Sequence, residues 1–524
     1  MRKLFGYSDQ ISVRPGDTIR FMVSSLDNTS YRADIVRLIC GDDNPDGSCV
    51  VIPDNPLLDA ISSFTLQAMI WPTTPLKGRQ ALMGKWCEKT QTGFCLFIDE
   101  NGATNLCLGD GSGAVETLGA GTAMIGREWY FVAASFDAHT KQMRIFQEPL
   151  ADCPGVGAAA STQASIELAG PGSNSAQFVM AAQRQQPDGD AMSAHFNGKI
   201  DSPRLLKRAL SRAEMAMLAG DPIPETLESD ILGWWDFSRD ISSTRVTDLS
   251  ANRLHGETVN LPTRGMRGFN CTGTEHCWRH APDEYGAIHF HDDDLYDAGW
   301  HADFELVIPQ QMKSGVYCAR LIGTGDEERI PFFVRPPAGE QTSDVALLIS
   351  SATFMAYANF RTDINMPLAE VKKGGITVLG AEDVFLQENA GYGLSLYDKH
   401  SDETGVCYSS RLRPIFNMRP KTGLWSFNAD THVTDWLETM GQSFDVVTDE
   451  DLHQEGVAAM APYRVVITGA HPEYWSTPMW DAMVAYQQRG GRLMYLGGNG
   501  FYWRNAYHDH LPGVIEMRRA EGGM

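Results

Sequence analysis

Three short segments gather most of the side chains able to do chemistry: SSATFMAYANF (350–360), TGAHPEYWS (468–476) and GGNGFYW (497–503). Asn499, after two glycines, is equally a turn residue tolerant of left-handed backbone and a donor to a substrate. An amide is no nucleophile, and these segments hold neither a cysteine nor a serine in a Gly-x-Ser-x-Gly setting, so acyl-enzyme chemistry is disfavoured. By residue type alone, Tyr357 and Tyr397 read as packed aromatics with satisfied hydroxyls. Glu473, two residues after His471, reads as a carboxylate leading a helix.

Other clusters invite a metal and are weaker on spacing. Cys271, His276, Cys277 and His280 match no CxxC zinc pattern and read as a loop. His289, His291, Asp292, Asp293 and Asp294 place both histidines on one face of an alternating strand, but no calcium-loop spacing follows, so the segment reads as a hydrogen-bonded strand end. Asp449, Glu450 and Asp451 read as a solvated strand end, and His400 with Asp398 as a loop pair.

The elements around the three segments are those of an α/β domain. VALLIS, FDVVT, YRVVITG and RLMYLGG are apolar runs of buried-strand type, and VTDWLETM places Val433, Trp436, Leu437 and Met440 on one helical face. Ser476 is an N-cap, with Pro478 in the first turn, Trp480, Met483 and Val484 at helical spacing, and Gly490-Gly491 as the stop. Helices alternating with such strands imply a mostly parallel sheet whose ligand site lies beyond the carboxyl ends of its strands, where the three segments fall.

The chain before Pro337 is strand-rich. Residues 11–23 and 30–39 alternate apolar and polar side chains. From Phe64 the strands FTLQAMIW, ALMGKW, FCLFIDE, WYFVAASFD and MRIFQ follow in regular order, closed by FNGKIDSPRLLKRALSRAEM. That succession resembles the laminin-G or concanavalin-type sandwich, a fold that serves many functions. The expected class is a multidomain β plus α/β protein. Residues 1–57 pair with 283–336 as one β-sandwich region, and 58–235 form the concanavalin-like sandwich. Residues 236–282 connect, and 337–524 form the α/β domain.

Composition bounds the partners. The 524 residues carry 43 basic and 66 acidic side chains, a net charge of −23 that disfavours nucleic acid and anionic lipid. No stretch approaches the roughly 18 apolar residues of a membrane span, and the N-terminus lacks a signal-like apolar run, so a cytoplasmic location is expected. The ten cysteines, Cys40, Cys95, Cys107 and Cys318 among them, read mostly as reduced core residues.

In the order strand, Gly-Gly-x-Gly, aromatic, the 497–503 segment resembles the nucleophile elbow of class I glutamine amidotransferase-like, flavodoxin-like folds, with Asn499 where the cysteine would stand. TFMAYANF, LSLYDKHSDETG, FDVVTDEDLH, TGAHPEYWS and RLMYLGGNGFYWR, together with the domain order, resemble the large (beta) subunit of N,N-dimethylformamidase across essentially the whole chain. The resemblance implies a mononuclear Fe3+ held by Tyr357, Tyr397 and Glu473, with His471 and Asn499 as catalytic neighbours. It implies hydrolysis of a small N-substituted formamide to formate and a secondary amine, and a small alpha companion subunit in a hetero-oligomer. A ferric ion favours anionic oxygen donors and leaves positions open for water and substrate, which answers the missing nucleophile. The family's large subunits continue past the point where this chain ends and contribute a further glutamate there, so the α/β domain is expected to be incomplete. The rival expectations are a non-catalytic lectin-like binding protein with a degenerate amidotransferase-like domain, and a hydrolase with another nucleophile.

Overall fold

The computed structural model describes residues 4–25, 32–33, 47–151, 159–186, 191–220, 223–323, 327–361, 381–420 and 427–519. Most of the 30–39 segment and Cys40 lie outside the described residues. The chain divides into two units, one built from residues 1–44, 295–399 and 405–518, the other from 45–294, 400–404 and 519–524.

The second unit is an antiparallel β-sandwich. One sheet runs, in spatial order, Ala160–Ser165, Gln142–Pro149, Tyr130–Asp137, Phe64–Pro72, Gly198–Leu206, Ala287–Phe290 and Thr263–Met266. The other runs Val115–Gly119, Thr104–Asp110, Thr92–Ile98, Gln80–Cys87, Phe178–Met180, Cys49–Ile52, Gly256–Val259 and Arg245–Asp248. Alternation along Phe64–Pro72 explains its burial on both faces. Leu66, Ala68 and Ile70 enter the main core, while Met69 packs with Leu210, Met215 and Leu218 from the helix Arg212–Met217 and its surroundings. Ser211 and Glu214 start that helix with a capping box. Within the core Phe64 stacks on Phe94 at 4.3 Å and Phe178 on Trp235 at 5.3 Å.

The chain division differs from the one expected. Cys49–Ile52 and Ala287–Phe290 are sandwich strands, and 236–282, expected to connect, supplies Arg245–Asp248, Gly256–Val259 and Thr263–Met266 to the same sandwich. The physical reason is pairing: Glu257 to Val259 lie opposite Val51 to Cys49, so distant segments complete one sheet. Cys271, Cys277 and His280 stand in a loop, with His280 beside Glu275.

In the first unit, Leu4–Ser8, Thr18–Ser25 and Phe304–Val307 form a three-stranded antiparallel sheet. Ser12–Val13, Glu327–Val334, Gly315–Ile322 and Arg32–Ala33 form a second sheet. Phe21, Phe304, Phe332 and Val334 are among the residues that fill the core. The remainder is α/β. Four parallel strands lie in the order Asp445–Thr448, Val345–Ile349, Val465–Thr468, Arg492–Met494. They are joined by the helices Ser351–Ala356, Phe427–Thr439, Asp449–Glu455 and Thr477–Gln488.

Ser476 caps the last of these helices, accepting from Met479 N, with Pro478 in the first turn as expected. Three expectations are corrected. Asp449 to Asp451 are the first turn of a helix, because Thr448 and Asp451 form a capping box, and Asp449 and Asp451 are buried. Of the four residues expected on one face of Phe427–Thr439 and its end, Leu437 is buried, Val433 is half-buried, and Trp436 and Met440 face solvent. Among the described residues Arg492–Met494 is an edge strand, and Met494, Tyr495 and Leu496 are exposed where a buried run was expected.

Candidate active site

Strand order in the parallel sheet reverses between Val345–Ile349, which leads into one helix, and Val465–Thr468, which leads into another, and the crevice beyond that reversal is where open α/β sheets place their ligands. The segments expected to carry chemistry meet there. Tyr357 is the C-cap of the helix Ser351–Ala356. Tyr397 lies in a tight loop whose Ser395 hydroxyl donates to Ala356 O (3.0 Å) and whose Leu396 N donates to the same carbonyl (3.2 Å). Glu473 follows the third strand, in a loop pinned by Thr353, which donates to His471 O at 2.7 Å and accepts from Glu473 N at 3.3 Å.

These loops bring oxygens together from distant parts of the sequence. The Tyr357 hydroxyl is 2.7 Å from that of Tyr397 and 3.0 Å from Glu473 Oε2. The Tyr357 and Tyr397 rings stack at 4.3 Å, 17° from parallel. Glu473 is buried, and the two tyrosines are half-buried. His471 Nε2 lies 3.4 Å from Glu473 Oε2.

Sequence reasoning missed one member. Tyr474, fully buried, places its hydroxyl 2.5 Å from that of Tyr397. Its signal was adjacency: in a loop that points Glu473 inward, the next side chain also finds a buried place, here through pairing of Tyr474–Trp475 with Trp503–Arg504. Burial and the neighbouring Tyr397 hydroxyl push the phenols of both Tyr357 and Tyr474 far above their ordinary range.

The third segment is stitched to the second. Gly498 N donates to Ala470 O, and Tyr502 N and Trp503 N donate to Glu473 O. A Cβ on Gly498 would stand 3.1 Å from His471 Nδ1, so the glycine lets backbone lie against the imidazole. Asn499, next along, is exposed. Beneath the crevice the buried carboxylate of Asp430 accepts from Ala470 N (2.6 Å) and Ser350 N (3.4 Å), joining the ends of two strands, and burial pushes its pKa up to about 7.

The other pairing expected nearby is different. His400 Nδ1 meets Asp293 Oδ1 at 2.7 Å, while Asp398 accepts from Ser395 N and faces Arg361. The correction follows from chain direction: residues 400–404 belong to the sandwich unit and Asp398 to the α/β unit.

The donor set fits a hard cation. Ligands about 2.1 Å from an octahedral ion lie about 3 Å apart when adjacent, which is the spacing of the Tyr357 oxygen from those of Tyr397 and Glu473. Phenolate and carboxylate are anionic oxygen donors of the kind such ions prefer.

A β-sandwich unit and a unit with an open α/β sheet and an oxygen cluster at its switch point make up this multidomain chain. Residues 43–216 match the concanavalin A-like lectin/glucanases superfamily, and residues 263–524 match the family described as N,N-dimethylformamidase beta subunit-like, C-terminal. The N,N-dimethylformamidase beta subunit of Paracoccus aminophilus is 36% identical over 99% of this chain and 74% of its own length, and that of an Alcaligenes species is 35% identical with the same coverage. Among solved structures, the sialidase CBM40 of Ruminococcus gnavus is 19% identical over 34% of this chain and 97% of its own, at a TM-score of 0.27. The chain belongs to the N,N-dimethylformamidase beta subunit family.

Proposed function

We propose that the chain hydrolyses the amide bond of N,N-dimethylformamide or a similar small N-substituted formamide, giving formate and dimethylamine, at a mononuclear ferric site held by Tyr357, Tyr397 and Glu473. Within its family the chain is a hydrolase of carbon–nitrogen bonds in linear amides. The observation that carries the site assignment is the convergence of three oxygen donors within 2.7 and 3.0 Å at the switch point of the sheet. The relatives are beta subunits, so a companion alpha subunit and a hetero-oligomer belong to the same reading. The α/β unit is read as glutamine amidotransferase-like, with Asn499 in the elbow.

When bound, the ion polarises an amide carbonyl and lowers the pKa of water at the site. The chain's own residues supply the rest. Stacked Tyr357 and Tyr397, with Phe360 5.3 Å from the Tyr397 ring, give a small apolar wall suited to methyl groups. Tyr474 holds the Tyr397 hydroxyl in place from behind. Hydrolysis adds hydroxyl to the carbonyl carbon and a proton to the departing nitrogen; on this reading the His471 imidazole carries that proton at a ring nitrogen. The Asn499 amide supplies a hydrogen bond to the oxyanion.

Metal analysis with an absorption spectrum tests this. The purified chain, produced in iron-replete cells with its companion, is expected to carry one iron per chain and a visible phenolate-to-iron band. Tyr357→Phe is expected to lose both. Unchanged iron in that variant overturns the ligand assignment, and a colourless, iron-free wild type favours a binding protein without catalysis.

A further inference from the structure

We infer that the sandwich unit carries a zinc site formed by His289, His291 and Asp402. The three side chains come from two segments: the strand Ala287–Phe290 with the residue that follows it, and the 400–404 stretch that belongs to the same unit. All three side chains are at most 1% exposed. One ligand atom from each lies within 4.8 Å of the others.

Spacing and chemistry select the ion. His289 Nε2 is 3.3 Å from Asp402 Oδ2, and His291 Nε2 is 4.0 Å from the same oxygen. Two ligands about 2.0 Å from a tetrahedral ion lie about 3.3 Å apart. Two imidazole nitrogens and one carboxylate suit zinc, whereas a hard calcium or magnesium ion requires mostly oxygen donors.

A second observation points to a missing ligand. His289 Nε2 and Asp402 Oδ2 are both fully buried, and neither has a hydrogen-bond partner. They face one another without the alignment of a hydrogen bond. A cation between them satisfies both lone pairs at once, which a protein interior otherwise arranges by direct bonding.

The surroundings resemble a supporting shell. Asp294 Oδ2 lies 3.2 Å from His291 Nδ1 and accepts from the Ser48 hydroxyl at 2.6 Å. A carboxylate on the distal nitrogen fixes the tautomer and aim of a ligating histidine. The other Asp402 oxygen, Oδ1, accepts from Thr404 N (3.0 Å) and its hydroxyl (2.5 Å), leaving Oδ2 for the ion. His291 Nε2 is 3.0 Å from Thr404 Oγ1, a contact that gives way to the ion on binding. The His400 ring stacks on His291 at 3.7 Å and closes the site on that side. The ion therefore ties the 400–404 segment to the strand end across 113 residues of sequence, as a structural zinc does.

The test uses the full chain with its companion and Zn2+ alone as probe. Wild type stripped with a chelator is expected to take up one Zn2+ per chain, and Co2+ in its place is expected to give tetrahedral absorption bands. His289→Gln and Asp402→Asn should abolish uptake, and Asp294→Asn should weaken it by about 10- to 100-fold. Iron content is read in the same preparations before stripping and should be unchanged in His289→Gln, while Tyr357→Phe keeps its zinc; this separates failure here from failure of the iron reading. Should His289→Gln fold poorly, the Asp294→Asn affinity decides. The inference is overturned if stripped wild type takes up no Zn2+ at micromolar concentration, or if Asp294→Asn and Asp402→Asn bind it as wild type does.

Discussion

The two buried clusters of this molecule differ in their atoms. The α/β unit gathers phenol and carboxylate oxygens about 3 Å apart with two rings half-buried, while the sandwich unit gathers imidazole nitrogens and one carboxylate with no ligand side chain more than 1% exposed. The first arrangement suits a hard, highly charged ion with positions left for a substrate, and the second a borderline ion in a closed, structural setting. On these two proposals donor type would choose the metal, and burial would choose between turnover and cross-linking.

The largest effect expected from breaking that contrast is at Glu473. Glu473→Ala removes the carboxylate donor, so iron, the visible band and amide hydrolysis should all disappear, while zinc per chain remains; metal analysis of one sample reads both. Asn499→Ala comes next and sharpens the comparison, because it touches catalysis without touching ligation. The turnover rate should fall about 100- to 1000-fold with iron content intact, and a variant that loses iron instead would make Asn499 part of the metal-holding shell. The smallest effect is Ser476→Ala, which removes the cap of the helix behind Glu473. It should lower stability by about 1 kcal/mol in chemical denaturation and leave both metals bound.

What could be read from the residues divides by distance along the chain. The Ser476 cap, the paired strands of the sandwich and the alternating helices and strands of the α/β unit are local patterns, and local physics produces them. The capping box at Thr448 and Asp451 was equally local, and the run of three acids obscured it. Tyr357, Tyr397 and Glu473 carried little signal in themselves, since Tyr357 and Glu473 meet across 116 residues; a family resemblance pointed to them where periodicity could not. The partnership of His289 and His291 with Asp402 left no trace in the spacing of either segment. Arg492–Met494 was misread because an apolar run has the same pattern whether the strand is central or at an edge.

That edge has a consequence for how the protein behaves in a tube. Met494, Tyr495 and Leu496, with Trp480 and Tyr502, leave apolar surface beside a strand that, among the described residues, pairs on one side only. Unpaired strand edges invite a second chain. What holds molecules apart is the net charge of −23, and its repulsion is cut to a range of about 8 Å at physiological salt. Ionic strength thus sets colloidal stability: dilute buffer keeps the chains dispersed, and kosmotropic salt, which screens charge and strengthens apolar contact together, drives them toward association.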